Sequence, residues 1–331
     1  MIRKMNYRAT SSAADSQDRR AAGAADADYP DPGRVGADAA DGGAPDLGLR
    51  PAGSLVQTVA GYLALWFGLL TCGTMFLGWC GIAFLISPLL GAEQRRRIGR
   101  LGMHWLFRTY LALLRWVNIV QVDNAALAGL RHERSLILAP NHPSMMDVIL
   151  IISRLSNVGC VMKAELWDNI FLGAGSRMAE FIRNVSPRSM IKLAVRDLQR
   201  GSQLLIFPEA TRTVREPINE VSGGFALIAK KANAPVQTIL IESDSPYLRK
   251  GWSLFRLPPM PIRFRLRLGR RFEPRNDVES LVTDLERYFI EALGEGRPGI
   301  AGTPAQPGAA NATAGSVPPA EAPPAPARRA A

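Results

Sequence analysis

Cysteine and histidine are scarce in this chain, three of each in 331 residues. Cys72, Cys80 and Cys160 have no metal-ligand spacing and, being odd in number, form no closed disulfide framework, which fits a reducing compartment. The sequence has no phosphate-binding G-x-x-x-x-G-K-[ST] loop, no G-x-G-x-x-G dinucleotide fingerprint and no G-x-S-x-G nucleophile elbow. Nucleotide-driven, dinucleotide-dependent and serine-nucleophile chemistry therefore have no support in it. Cys160 lies inside an apolar strand pattern, unsuited to an exposed nucleophile, and no repeat of solenoid period is visible. Large apolar residues are few in 1–54 and 295–331, which are rich in Ala, Gly, Pro and, in the first, Asp. Neither stretch buries enough surface to offset the entropy of ordering, so both are expected to be disordered tails.

Charge is missing altogether from Leu55 to Leu90, 36 residues in a row. About 20 apolar residues cross a bilayer core, so 55–90 is predicted to be a membrane anchor. It starts too deep in the chain for a secretory signal. As one helix it would be roughly 54 Å long, against a core of about 30 Å. A hairpin bending at Leu70–Thr74, with two arms in one leaflet, is the favoured geometry and the single helix the alternative. Arg95, Arg96, Arg97 and Arg100 follow directly. By the positive-inside rule they place the rest of the chain in the cytoplasm, at the inner membrane.

The net charge of +11 resides wholly in residues 55–294, pointing to an anionic partner: membrane phosphate, a phosphorylated substrate or an acidic carrier protein. Nucleic acid is disfavoured because no recognition motif accompanies the charge. Met103, Leu106, Phe107, Tyr110, Leu113, Leu114 and Val117 fill one helical face, with Arg97, Arg100, Arg108 and Arg115 opposite. Either this helix packs on a core or it lies at an interface with its arginines on lipid phosphates.

From residue 91 to 294 short apolar runs alternate with helical patterns. Strands are predicted at 135–140, 158–162, 203–207, 235–242 and 261–269, helices at 143–155, 187–200 and 222–233, and a closing helix from Val278 to Leu293. The alternation predicts an α/β domain with a central, mostly parallel or mixed sheet flanked by helices. In 261–269, Ile262, Phe264, Leu266 and Leu268 are expected on the buried face and Arg263, Arg265 and Arg267 on the other.

Three motifs fall where strands of such a sheet end. In "LILAPNHPSMMDVILII" (136–152) Pro143 suits a first helical position, which makes His142 the expected N-cap, able to fold back on Asp147. A carboxylate on one ring nitrogen fixes the tautomer and leaves the other to take a proton from a hydroxyl. By spacing alone the motif is a weak signal, and a structural cap is the commoner reading of such a pair. In "LLIFPEATRT" (204–213) Arg212 offers a planar fork suited to phosphate, and Glu209 is placed to hold it or to accept a substrate hydroxyl. In "EFIRNVSPRSM" (180–190) Ser186 and Pro187 open a helix whose N-terminus is flanked by Arg183, Asn184 and Arg188.

The order of N-H-x4-D and, some 60 residues on, F-P-E-x-T-R resembles the glycerolipid acyltransferase family, whose best-known members are 1-acylglycerol-3-phosphate O-acyltransferases. The similarity runs from about residue 95 to 275 and includes "SGGFALIAKKANAPVQTI" (222–239). The resemblance implies that His142 is the general base and Asp147 its orienting acid. It implies that Glu209, Thr211 and Arg212 bind the acceptor, with Arg183 or Arg188 also on phosphate. It implies a lysophospholipid acceptor and an acyl-CoA or acyl carrier protein donor, with no cofactor beyond that thioester and no metal. Two departures stand out: Ala210 replaces the family's glycine after Pro-Glu, and Ile182-Arg183 lacks the usual spacer. They leave open a different acceptor, such as a lyso-ornithine lipid or a specialised lipid or polyene, and a non-catalytic lipid-binding protein is the remaining alternative.

Overall fold

The computed structural model describes residues 55–169 and 173–294. The two expected tails, 1–54 and 295–331, lie outside the described residues. Leu55–Ile86 is one helix, α1, followed by a 3-10 turn at Ser87–Leu89. The hairpin expected at 70–74 does not form. Helix α1 runs through Gly73, and Thr74 Oγ1 donates back to the carbonyls of Leu70 and Thr71 at 2.8 and 3.2 Å. A hydroxyl satisfied within its own helix needs no bend in an apolar segment.

Helix α2, Ala92–Trp116, leads to β1, Val120–Asp123, and a 3-10 turn at Ala125–Leu130. Then follow β2 (Leu136–Pro140), α3 (Asp147–Ile152), β3 (Val158–Lys163), α4 (Ala164–Asp168) and α5 (Gly173–Met178). Next come β4 (Ile182–Asn184), α6 (Pro187–Gln199), β5 (Gln203–Leu205), α7 (Gly224–Ala232), β6 (Val236–Ser243), β7 (Ile262–Phe272) and α8 (Val278–Gly294). The seven strands form one mixed sheet in the order β1-β7-β6-β2-β5-β3-β4. Strands β6, β2, β5, β3 and β4 pair in parallel, β7 is antiparallel to β6, and β1 joins β7 in parallel.

Both faces of the sheet are covered, which is why its central strands read as unbroken apolar runs. Leu136 and Leu138 of β2 point into a cluster with α2 and α3, while Ile137 and Ala139 point into one with α6, α7 and α8. The alternation in β7 holds for Ile262, Phe264 and Leu266 but fails at Leu268, which is exposed, because the β6–β7 register shifts between Gln237 and Ile239.

Helix α2 buries Met103, Phe107, Tyr110 and Leu114, as its periodicity predicts. Arg100, expected on the polar face, is buried instead. Its guanidinium grips both carboxylate oxygens of Asp197 on α6 at 2.8 and 2.9 Å, and Arg96 joins through Ser202. Helix α1 does not stand apart from the domain. Ala64, Cys72, Met75, Phe76 and Trp79 pack on the α2 side of the core, and Trp66 stacks on Phe255. Gly102 makes this possible: a Cβ there would lie 2.0 Å from the Trp79 ring. The other side of α1, including Leu63, Phe67, Leu70, Phe84 and Leu85, is exposed.

Candidate active site

Beyond the carboxyl ends of the neighbouring parallel strands β2 and β5, two loops interlock. After Pro140, the Asn141 side chain takes over the ladder to β6, accepting from Ile241 N at 2.7 Å and donating to Ile241 O at 3.0 Å. The backbone of His142 is then held from both sides by the loop after β5. Its N–H donates to Glu209 Oε1 and its carbonyl accepts from Thr213 N, each at 2.8 Å. Residues 141–146 form a turn, and helix α3 begins only at Asp147, with Met146 as N-cap. His142 is therefore not the N-cap that the sequence suggests. The tight turn replaces the first helical turn and brings the two side chains together directly.

His142 Nδ1 lies 2.9 Å from Asp147 Oδ2, and the same oxygen accepts from Ser144 N at 2.9 Å. Asp147 is fully buried, while the His142 side chain keeps 16% exposure. Burial pushes the Asp147 carboxyl up to about 6, opposed by the bonds from His142 and Ser144. Once ionised, Asp147 is acceptor-only, so Nδ1 carries the proton and Nε2 the lone pair. Nε2 has no hydrogen-bond partner among the described residues. The imidazole stacks on Phe207, with ring centroids 3.7 Å apart and planes at 19°. These contacts fix the ring in one orientation with one nitrogen open.

Glu209 is buried, and its carboxylate accepts from His142 N, Thr213 Oγ1 and Asn219 N. Burial raises its pKa and these bonds oppose the rise. The protein itself thus occupies Glu209, which splices the two loops rather than facing an open space. Arg212 is half-buried, and its Nη1 donates to the carbonyls of Leu248 and Arg249 at 2.9 and 3.2 Å. One edge of the guanidinium is anchored, and the rest has no partner among the described residues. Thr211 is exposed in the same loop. Ala210 adopts a φ of 54°, the left-handed region that favours glycine.

Residues 244–261, between β6 and β7, complete the wall. Ser144 Oγ donates to Tyr247 O at 3.0 Å and Met145 N to Leu248 O at 3.3 Å. The structure thus gathers His142, Asp147, Glu209, Thr211 and Arg212. Arg183 belongs to β4, three strand spacings or roughly 14 Å from β2, and Arg188 to the first turn of α6. Arg183 is ion-paired with Asp168 and lies over the Trp167 ring at 5.7 Å; Arg188 is exposed. No hydrogen bond or ion pair among the described residues ties either to the His142 group. Sequence reasoning missed Phe207, Thr213, Asn219 and Tyr247. Phe207 had a visible signal, an aromatic directly before Pro-Glu; Thr213 and Asn219 bind loop groups with their side chains and Tyr247 acts through its carbonyl, contacts that leave no pattern in the chain.

A family model described as Acyltransferase matches residues 120–242, a span that holds all of these residues but those of the 244–261 loop. A 1-acyl-sn-glycerol-3-phosphate acyltransferase of Pseudomonas aeruginosa is 26% identical over 208 residues, covering 60% of this chain and 78% of its own length. A protein of the same name from Limnanthes alba is 26% identical over 195 residues, covering 56% of this chain and 65% of its own length. In three dimensions the chain is similar to the crystal structure of the 1-acyl-sn-glycerophosphate acyltransferase of Thermotoga maritima. The TM-score is 0.55 at 18% identity, over 75% of this chain and 99% of that one, a likeness of fold.

Proposed function

We propose that this chain, which belongs to the acyltransferase family, moves an acyl group from a thioester to the free hydroxyl of a lysophospholipid, with 1-acylglycerol-3-phosphate as acceptor and phosphatidic acid as product. The observation that carries the proposal is the His142 ring, held by Asp147 through Nδ1 and open at Nε2, on a turn bonded to the loop that carries Arg212. Nε2 takes the hydroxyl proton as the oxygen attacks the thioester carbon. The new C–O bond forms, the C–S bond breaks, and the proton passes to the departing thiolate. Asp147 stabilises the imidazolium in between. No acyl-enzyme is needed, so the lack of an activated serine or cysteine is no obstacle.

Arg212 supplies the contact to the acceptor phosphate, its fork aimed by the two carbonyls that hold its other edge. Thr211 adds a hydroxyl, and Glu209 contributes by fixing the loop on which both sit. Arg183, ion-paired with Asp168, acts on a distal part of a substrate, and Arg188 offers a second, exposed contact to phosphate. The thioester is that of CoA or acyl carrier protein, and it is the sole co-reactant.

For localisation we propose attachment to the cytoplasmic face of the inner membrane. Helix α1 is long and apolar enough to span a bilayer. Its packing along the domain favours a helix sunk lengthwise into one leaflet, with its exposed face in lipid. Of the four arginines that suggested topology, Arg96 and Arg100 are engaged inside the fold, which leaves Arg95 and Arg97 for the interface.

The deciding experiment measures thioester consumption with lysophosphatidic acid for wild type, His142→Ala and Arg212→Ala. Loss of turnover in the first and a raised acceptor KM in the second are expected. A second acceptor class is favoured by one feature, the strained Ala210 next to the phosphate-binding loop. A panel of lysolipids tests it, and turnover confined to a phosphate-free acceptor overturns the assignment of lysophosphatidic acid.

A further inference from the structure

The proposed reaction uses none of the arginines at the other end of α3. Arg108 and Arg115 of α2 and Arg154, just past α3, line one concavity of about 290 Å³ together with Val122, Asn124 and Ser153. Asn124 is buried and donates to Leu150 O at 3.0 Å, while its Oδ1 accepts from Arg154 Nε at 2.8 Å. Arg154 is therefore a fixed guanidinium, not a loose surface chain. Arg131, at the end of the 3-10 turn, adds a fourth charge nearby. Burial holds the Arg154 pKa below its ordinary value, and the charges of Arg131, Arg108 and Arg115 hold it lower still, with Asp123 opposing.

Like charges gathered this way repel unless an anion sits among them. Arg96, Arg100, Arg183, Arg200 and Arg249 each have a carboxylate partner. Among the described residues, Arg108, Arg115, Arg131 and Arg154 have none. A larger concavity of about 550 Å³ continues past Arg115 and Val122 along β1 and β7, but Asp123 and Glu242 lie on its wall. The smaller cleft, with three arginines and no carboxylate in its lining, is thus the better place for an anion. Neither concavity includes His142. Ser153, the C-cap of α3, is six residues from Asp147, roughly 9 Å along a helix axis.

A second feature points to the kind of anion. The exposed stripe of α2 runs Ile98, Leu101, Trp105, Arg108, Ala112 and Trp116, at three- and four-residue spacing. Trp105 and Trp116 are 59% and 82% exposed, and the Arg108 guanidinium lies over the Trp105 ring at 5.6 Å. Tryptophan and arginine along an exposed apolar stripe are the composition of a helix at the bilayer–water interface. We propose that Arg108, Arg115 and Arg154 form a binding cleft for the phosphate of an anionic phospholipid headgroup, separate from the His142–Asp147 pair, with Trp105 and Trp116 seated in the interfacial layer. The lipid bound there is not consumed; it fixes how the domain sits on the membrane.

The test uses the full chain and vesicles of phosphatidylcholine, with and without phosphatidylglycerol, read by flotation. The Arg108→Gln/Arg115→Gln/Arg154→Gln protein is expected to lose about a hundredfold of the preference for anionic vesicles, about fivefold per arginine. Binding to neutral vesicles stays, since α1 is untouched. The corresponding triple lysine variant keeps the charge without the fork and guards against a folding defect. It is expected to remain about tenfold weaker than wild type. An unchanged glutamine variant, or a lysine variant of full affinity, overturns the proposal. So does binding of inorganic phosphate or of an acidic carrier protein that the glutamine variant loses while its vesicle binding stays at the wild-type level. Flotation needs no turnover, and the thioester assay in detergent reports on His142 alone, so the two proposals fail separately.

Discussion

Asp147 is asked to do two opposed things: to sit sealed from solvent and to carry a charge. Its carboxyl rests at about 6, above the free value of 3.8, because burial disfavours the anion. The stability associated with it is fully present below the unfolded value and is lost as pH rises through about 6. The span corresponds to a few kcal/mol. Catalysis runs the other way, since only the carboxylate supports an imidazolium at His142. The rate of acyl transfer is therefore expected to fall on the acid side of about pH 6, as a pH–rate profile of thioester consumption will read. Asp147→Asn should lower turnover by about 10²–10⁴-fold and flatten the loss of urea stability between pH 4 and pH 7. Ala210 offers a second test at this scale. Its φ of 54° strains any residue with a Cβ, so Ala210→Gly is expected to raise the urea midpoint by the equivalent of about 1 kcal/mol. A lower midpoint would show that the loop is not strained there.

Between elements, the strongest polar tie joins α2 to α6. Arg100 meets Asp197 across 97 residues of sequence, with Ser202, Asn157 and the Ala179 carbonyl filling its remaining donors. Gly159 on β3 leaves the room, because a Cβ there would stand 2.3 Å from Asp197 Oδ2. Replacing Arg100 by Met strands a buried carboxylate and should cost about 3–5 kcal/mol in a denaturant titration. The double variant with Asp197→Leu should cost clearly less than the two single changes together, because the pair is desolvated as a unit. Periodicity put Arg100 on the polar side of α2, which is correct for the helix in isolation. What covers that side is the start of β5 and the end of α6, and no local pattern announces them. Strands β1 and β4, four and three residues long, were likewise invisible as apolar runs and exist because neighbours hold them.

At the scale of the molecule, α1 and the catalytic layers are one packed body. Tyr110 donates to Gly68 O at 3.3 Å, Leu65, Cys80 and Ala83 are buried, and Phe255 of the site-side loop stacks on Trp66. Deleting residues 1–90 should therefore not release a soluble domain. It is expected to expose the outer side of Met103, Phe107 and Tyr110 and to aggregate, as light scattering after detergent removal will show. A gentler lesion is Gly102→Leu, which drives the side chain into the Trp79 ring. It should loosen α1, seen as faster proteolysis, and lower the thermal midpoint by several degrees.

Much was legible in advance. The α/β class followed from strands buried on both faces, which must be apolar throughout, and from helices with one apolar stripe. The meeting of His142 with Asp147 and the Glu209–Arg212 turn were legible because each lies within one short contiguous motif just past a strand. The chain's own order also determined that an uncharged segment precedes the domain. Only the tertiary structure decided the rest: that this segment is one helix laid along its own domain, that Arg100 is inside, that Glu209 binds loop to loop, and that Arg108, Arg115 and Arg154 converge. Each of these turns on which surfaces meet across long sequence separations, and a side chain's partner there is set by packing, not by its neighbours in the chain.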